Sequence, residues 1–190
     1  MAEILLFHHA QGQTEGFLAF ADELRAAGHV MHAPDLFDGK TFARLEDGVG
    51  HAQQIGFDVI IQRGTAAAEG LRAELVYAGL SLGVLPAQLL AQTRPGARGA
   101  LLLHACVSPA EFNTPWPAGV PLQIHMMDGD EWAKDDLVVS RKLVDEIENA
   151  ELFLYPGDGH LFADSSLADF DQEAAALLKE RTFIFLERVG

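Results

Sequence analysis

The sequence predicts an α/β fold in which a mainly parallel central sheet carries helices on both faces. Short apolar runs bounded by turn residues recur from one end of the chain to the other. Amphipathic stretches separate them, and neither a repeat nor a low-complexity linker interrupts the alternation. Strands that alternate with helices need crossover connections, which favour parallel pairing. At 190 residues the chain is expected to form one domain over residues 1–190.

The apolar runs predict six strands, each short enough to be buried in the middle of a sheet. They cover residues 3–7, 29–33, 75–78, 100–105, 121–127 and 150–155. The first helix follows from Phe17, Phe20, Ala21 and Leu24, which recur at helical spacing. The last helix is predicted over residues 166–188, because Ser166 and Asp169 resemble a capping box.

Composition limits the partners that the protein can have. Lys and Arg number 13 against 28 Asp and Glu, a formal charge of -15 that would repel nucleic acid. No apolar run approaches eighteen residues, so a membrane partner is not expected. The first residues lack the pattern of a secretory signal, and one cysteine, Cys106, cannot form an internal disulfide. These features favour a cytoplasmic protein, monomeric or homodimeric.

The third predicted strand leads into Gly79-Leu80-Ser81-Leu82-Gly83, where a serine stands between two glycines. A nucleophilic hydroxyl must be presented on a sharp turn between a strand and a helix, which leaves room for only the smallest residues beside it. With five serines and 18 glycines in the chain, roughly 0.04 such matches are expected by chance. Ser81 is therefore the candidate nucleophile.

A nucleophilic serine needs a histidine base and an acid that orients it. Three histidines follow Ser81, and His104 and His125 fall within apolar strand patterns, whereas His160 lies in a Pro/Gly/Asp loop after the last strand. His160 is the predicted base. The turn after the fifth strand offers Asp128, Asp130 and Glu131 as acids, and the pattern of residues alone does not choose among them.

Taken together, these segments resemble the dienelactone hydrolase family of the α/β-hydrolase fold. The resemblance covers nearly the whole chain and rests on five segments: HHAQG after the first strand, APDLFDG after the second, YAGLSLG at the serine, LQIHMMDGDEW at the acid turn and LYPGDGHLFAD at the histidine. It implies a mainly parallel sheet with helices on both faces and a minimal lid or none.

The resemblance also assigns roles to individual residues. It implies that Asp130 is the acid, His160 the base and Ser81 the nucleophile, with the backbone N–H groups of Leu82 and Ala10 binding the oxyanion.

Two departures separate this chain from the best-known members of the family. Those members carry cysteine where this chain has Ser81, and glutamate where it has His9. Both differences argue against dienelactone itself as the substrate.

The substrate pocket is expected to draw on side chains near the strand ends. The candidates are His9, Gln11, Phe37, Trp132 and Phe162. Core packing is the ordinary role of such side chains.

The predicted function is a serine hydrolase of small carboxylic esters, lactones or thioesters that needs no cofactor. The alternative is a non-catalytic ligand-binding or interaction module on the same scaffold, which His9 beside the oxyanion loop motivates. A metal site at His8, His9 and His104 is a third interpretation, but none of these residues has a familiar ligand spacing, so no metal is predicted.

Overall fold

The computed structural model describes residues 1–190 and contains a single sheet of six parallel strands. The strands are β1 (Glu3–Phe7), β2 (Val30–His32), β3 (Val76–Leu80), β4 (Gly99–Leu103), β5 (Leu122–Met127) and β6 (Ala150–Tyr155). Their order across the sheet is β2-β1-β3-β4-β5-β6. The predicted parallel α/β architecture is confirmed, and all six predicted strands are present with ends that differ by at most a few residues.

Six α-helices and two short 3₁₀ segments connect and flank these strands. The helices are α1 (Glu15–Ala26), α2 (Leu45–Ile55), α3 (Phe57–Ala67), α4 (Val84–Thr93), α5 (Lys134–Glu146) and α6 (Gln172–Val189). The 3₁₀ segments are Ser81–Gly83 and Pro109–Phe112. No helix has the length and apolarity that crossing a bilayer requires.

Two apolar cores form because successive strand residues point to opposite faces of the sheet. In β1, Ile4 and Leu6 pack into the core that includes Phe17 of α1 and Leu178 of α6. Leu5 and Phe7, on the other face of β1, pack into a second core that includes side chains of α2 to α5. Burial on both faces explains why the strands read as continuous apolar runs.

The last helix starts later than the sequence predicts, at Gln172 instead of Ser166. Its N-cap is Asp171, whose side chain accepts a hydrogen bond from the Ala174 N–H. Ser166 does not cap a helix, because its Oγ accepts from the Gly16 N–H while its hydroxyl donates to Asp164 Oδ1. Asp169 accepts from the Leu161 N–H, so both residues of the apparent capping box shape the loop after β6 instead.

The carboxyl ends of the parallel strands meet at one edge of the sheet, as ligand sites in open α/β sheets require. The loops after β1, β3, β4, β5 and β6 therefore converge there. They carry the candidate catalytic residues predicted from the sequence, Ser81, Asp130 and His160. No lid covers this edge.

Candidate active site

Ser81 lies at a strained turn between β3 and the 3₁₀ segment that precedes α4. Its φ of 49° is in the left-handed region, which a residue other than glycine rarely adopts. A Cβ at Gly79 would lie 2.6 Å from the Val84 backbone nitrogen, and one at Gly83 would lie 2.7 Å from the His8 carbonyl oxygen. Both obstacles are backbone atoms that cannot move aside, so the turn requires glycine on each side of the serine.

Pro86 fits near this turn because α4 begins at Val84, only two residues before it. It then occupies the first turn of the helix, where a backbone N–H has no partner within the helix and its loss costs little. Its ring packs against α3, where a Cβ at Gly64 would lie 2.9 Å from Pro86 Cγ. The tight 3₁₀ start and the close packing of α3 on α4 hold the serine turn in place.

Ser81, His160 and Asp130 form a continuous chain of hydrogen bonds. Ser81 Oγ is 2.7 Å from His160 Nε2, and His160 Nδ1 is 2.7 Å from Asp130 Oδ2. Asp130 is 2% exposed and His160 is 6% exposed, whereas Ser81 is partly open to solvent. A carboxylate on Nδ1 fixes the ring so that Nε2 can accept the serine proton.

Of the three acids in the turn after β5, only Asp130 contacts the histidine. The Trp132 N–H donates to Asp130 Oδ1 at 2.9 Å and leaves the other oxygen for His160. Asp128 is exposed and accepts from the Gly157 N–H, and Glu131 is exposed beside Lys134.

Two backbone N–H groups lie on the segments that meet at the serine turn. The Ala10 N–H, on the buried loop after β1, donates to no acceptor within the chain. The Leu82 N–H lies in the first turn of the helical segment, where such groups lack an intrahelical partner. The close approach of Gly83 to the carbonyl groups of Phe7 and His8 brings the loop after β1 against the serine turn.

His9 takes part in a buried network instead of lining a pocket. Its Nδ1 accepts from the Gln11 N–H at 3.2 Å, so its Nε2 carries the proton that is donated to Asp164 Oδ2 at 2.8 Å. Asp164 also accepts from the hydroxyl groups of Thr14 and Ser166. Burial raises the Asp164 pKa, but these hydrogen bonds outweigh burial and hold the pKa below its usual range.

A cavity of about 190 Å³ opens beside Ser81 and His160. Its wall is mostly apolar and comes from α2, α4 and the segments after β4 and β5. Among its lining side chains are Leu45, Val49, Leu85, Ala105, Val107 and Trp132.

Of the side chains expected in the pocket, the cavity wall includes only Trp132, which is 53% exposed. His9, Phe37 and Phe162 are fully buried in the interior, and Gln11 is 5% exposed with its amide donating to the Phe42 carbonyl. The expectation was wrong for these four because residues next to strand ends are here used for packing and loop anchoring.

Asp136, near the start of α5, lines the same cavity, and no pattern in the sequence points to it. Its Oδ2 accepts from the Cys106 N–H at 3.3 Å, and the Cys106 thiol donates to the Asp136 carbonyl. Burial raises the Asp136 pKa from 3.8 to about 6. Burial also raises the pKa of the Cys106 thiol well above its usual range, so the only cysteine stays protonated and unreactive.

The remaining buried histidines belong to the interior. His125 contacts Tyr155 Oη and Gln123 Oε1 through its two ring nitrogens. Both ring nitrogens of His104 lack a hydrogen-bond partner, and burial together with the neighbouring His160 keeps its pKa well below the usual value. His104, His8 and His9 do not form a metal site, since no group of three or more His, Cys, Asp or Glu side chains is arranged to hold an ion.

Solved structures with the same fold include several hydrolases. A candidate dienelactone hydrolase from Klebsiella pneumoniae aligns with a TM-score of 0.77 at 17% identity, over 99% of this chain and 87% of that chain. A promiscuous phosphotriesterase similar to dienelactone hydrolases, from metagenomic libraries, aligns with a TM-score of 0.75 at 15% identity, over 100% and 87% of the two chains. The dienelactone hydrolase from Anabaena variabilis gives 0.72 at 14% identity, over 100% and 87%.

No curated protein sequence matches this chain significantly. The model of the dienelactone hydrolase family, however, matches residues 2–190. Since that match spans nearly the entire chain, the protein belongs to the dienelactone hydrolase family and is a hydrolase that acts on ester bonds.

Proposed function

We propose that this protein is a serine hydrolase of small carboxylic esters, lactones or thioesters, with Ser81 as nucleophile, His160 as general base and acid, and Asp130 as the acid that orients His160. The proposal rests on two hydrogen bonds that share the His160 ring. One joins Ser81 Oγ to His160 Nε2 and the other joins His160 Nδ1 to Asp130 Oδ2, and each is 2.7 Å long. Few structural roles need such a chain of contacts at the solvent-facing edge of a sheet.

In the first half of the reaction, Ser81 Oγ forms a bond to the carbonyl carbon while its proton passes to His160 Nε2. The carbonyl oxygen becomes an oxyanion, and the Ala10 and Leu82 N–H groups would stabilise it. The intermediate then collapses, the bond to the leaving alcohol or thiol breaks, and His160 returns the proton to that group. An acyl group remains on Ser81.

In the second half, water attacks the acyl carbon and gives its proton to His160. The C–O bond to Ser81 breaks, the serine recovers the proton, and the carboxylic acid leaves. Asp130 holds His160 Nδ1 throughout and stabilises the imidazolium that forms twice in each cycle. The unpaired N–H of Ala10 supports an oxyanion role, because a buried donor without a partner is otherwise costly.

The size of the cavity supports small substrates. A volume of about 190 Å³ corresponds to roughly six water molecules, enough for a short acyl or alcohol group. The site also lies open to solvent, so part of a larger substrate could extend outwards past Trp132.

Labelling with a fluorophosphonate probe, read by mass spectrometry, and turnover of p-nitrophenyl acetate test the proposal. The wild-type protein should carry one phosphonyl adduct on Ser81 and hydrolyse the ester, and Ser81→Ala should do neither. Ser108→Ala is the matched control, because Ser108 lies outside the cavity wall and should leave both readouts unchanged. An unlabelled wild-type protein without esterase activity, or equal labelling of Ser81→Ala, would overturn it.

A further inference from the structure

The cavity beside Ser81 contains one ionisable group that the proposed reaction does not use, the Asp136 carboxyl. Asp136 lines the same wall as Ser81, His160 and Trp132. Its Oδ2 is held by the Cys106 N–H, whereas its Oδ1 receives no hydrogen bond from the protein. An oxygen without a donor, at the wall of a mostly apolar cavity, is an acceptor available to a ligand.

No lysine or arginine lines this cavity, so nothing there would offset a negative charge on a substrate. The chain as a whole carries a formal charge of -15, which adds to the unfavourable potential for an anion. A carboxylate-bearing substrate would therefore meet Asp136 without a counter-charge, and a like charge a few ångströms away is strongly repelled at low effective dielectric.

Trp132 adds the second component that a cation would use. Its indole lies on the cavity wall with 53% of the residue exposed, and its ring centroid is 6.3 Å from that of His160. The face of an aromatic ring attracts alkylammonium groups, and an adjacent carboxylate supplies the opposite charge. Apolar side chains around the two would accommodate the methyl groups of such a cation.

Resting on the proposed function, we infer that Asp136 and Trp132 select esters whose acyl or alcohol group carries a positive charge, such as a quaternary ammonium, over neutral esters of the same shape. Asp136 is a specificity-determining residue in this view and takes no part in bond breaking. The cavity volume of about 190 Å³ accommodates a trimethylammonium group on a short chain.

The protonation state of Asp136 gives the inference a pH dependence that can be measured. The titratable groups around it are the Cys106 thiol, His160, Asp130 and the neighbouring Asp135. With its pKa raised by burial to about 6, the Asp136 carboxyl is ionised at pH 8 and mostly protonated at pH 5. Selection for a cation should therefore weaken as the pH falls through 6.

Two pairs of isosteric esters measure the preference directly. The first pair is the p-nitrophenyl ester of 4-(trimethylammonio)butanoate and that of 5,5-dimethylhexanoate. The second pair is acetylcholine and 3,3-dimethylbutyl acetate. Each pair differs only in nitrogen against carbon, so the ratio of their kcat/KM values, corrected for spontaneous hydrolysis, isolates the charge. At pH 8 we expect at least one pair to favour the cation by about tenfold or more.

Asp136→Asn should bring that ratio to within about twofold of one, because the amide can still accept from Cys106 but carries no charge. Asp135→Asn is the matched control: it removes the same charge from the adjacent, exposed position outside the cavity wall and should leave the ratio as in the wild type. Thermal unfolding of both variants shows whether they are folded. In the wild-type enzyme, the ratio of kcat/KM for the cationic ester to that for the neutral ester should fall between pH 8 and pH 5.5. This measurement needs no variant.

Equal kcat/KM values within both pairs in an active wild-type enzyme would overturn the inference and leave the proposed function standing. An unchanged ratio in folded Asp136→Asn would do the same. Absence of any Ser81-dependent hydrolysis would overturn the proposed function and, with it, this inference.

Discussion

His9 Nε2 lies 2.8 Å from Asp164 Oδ2, and both side chains are completely buried. This contact joins two segments that are 155 residues apart in the sequence: the loop after β1, which carries the Ala10 N–H, and the loop after β6, which carries His160. Asp164 also lies against the first turn of α1, where a Cβ at Gly16 would lie 2.6 Å from its carboxyl carbon. The pair therefore holds the two loops of the candidate active site in a fixed relation.

Replacing Asp164 with asparagine should destabilise the fold by about 3 kcal/mol, because it removes one partner of a buried, hydrogen-bonded pair. Glu3→Gln is the matched control, since Glu3 also pairs with a histidine, His32, at 2.8 Å, but this pair and the ion pair of Glu3 with Arg72 are partly exposed at the amino end of β1. That change should cost less than about 1 kcal/mol. Urea unfolding of the two variants measures the difference, and equal losses would contradict the structural role given to Asp164.

The free energy of unfolding should fall as the pH falls from 7 towards 4. Burial lowers the pKa of His8 from 6.5 to about 4 and that of His125 to about 3, and it lowers the pKa of His104 as well. The unfolded chain takes up protons at these histidines near pH 6.5 and the folded chain does not, so protons favour unfolding over this range.

Asp136 acts in the opposite direction, because its raised pKa lets the folded state bind a proton between about pH 6 and 4. One carboxyl does not offset three histidines, and His8 alone corresponds to roughly 3 kcal/mol by pH 4. Urea titrations at half-unit intervals measure the slope. A flat or rising free energy of unfolding between pH 7 and 5 would show that the buried histidines do not govern the acid response.

Local patterns were enough to predict most of the fold and two of the three residues of the hydrogen-bonded chain, Ser81 and His160. The glycines beside Ser81 follow from backbone crowding within a few residues, and the strands follow from burial on both faces. The choice of Asp130 over its neighbours did not follow from the residues alone, because it depends on which carboxylate reaches a histidine 30 residues away.

The roles of Asp136 and Asp164 were not predicted from the sequence, because they too depend on contacts between distant segments. Each looks like an ordinary acidic residue in the sequence, one at a helix start and one in a loop. Their roles come from contacts with Cys106 and His9, at separations of 30 and 155 residues, which periodicity and spacing do not reveal. The four incorrect pocket residues have the same origin, since position next to a strand end does not determine which way a side chain points.

Gly83→Ala should abolish or greatly reduce activity and destabilise the protein. The added methyl group would meet the carbonyl groups of Phe7 and His8, which are fixed by the sheet and the loop after β1. Gly50→Ala, in the interior of α2, is the matched control, because a Cβ there meets nothing within 4 Å. It should stabilise the helix by about 0.5 to 1 kcal/mol. Thermal unfolding and p-nitrophenyl acetate turnover of both variants test the prediction, which fails if Gly83→Ala retains wild-type activity.

Asp130→Asn should lower kcat by about 10⁴ with a much smaller change in KM, because an amide on His160 Nδ1 favours the wrong tautomer for accepting the Ser81 proton. The matched control is Asp128→Asn, two residues earlier in the same turn. Asp128 is exposed and accepts only a long, 3.3 Å hydrogen bond from the Gly157 N–H, which an amide oxygen can also accept. That variant should keep kcat within about threefold of the wild type, consistent with the small effect of most exposed substitutions.

Steady-state kinetics with p-nitrophenyl acetate distinguishes the two positions. If Asp128→Asn loses the activity and Asp130→Asn keeps it, the acid has been assigned to the wrong carboxylate, whereas the selective loss at Asp130 would tie catalysis to the one carboxylate that contacts the histidine.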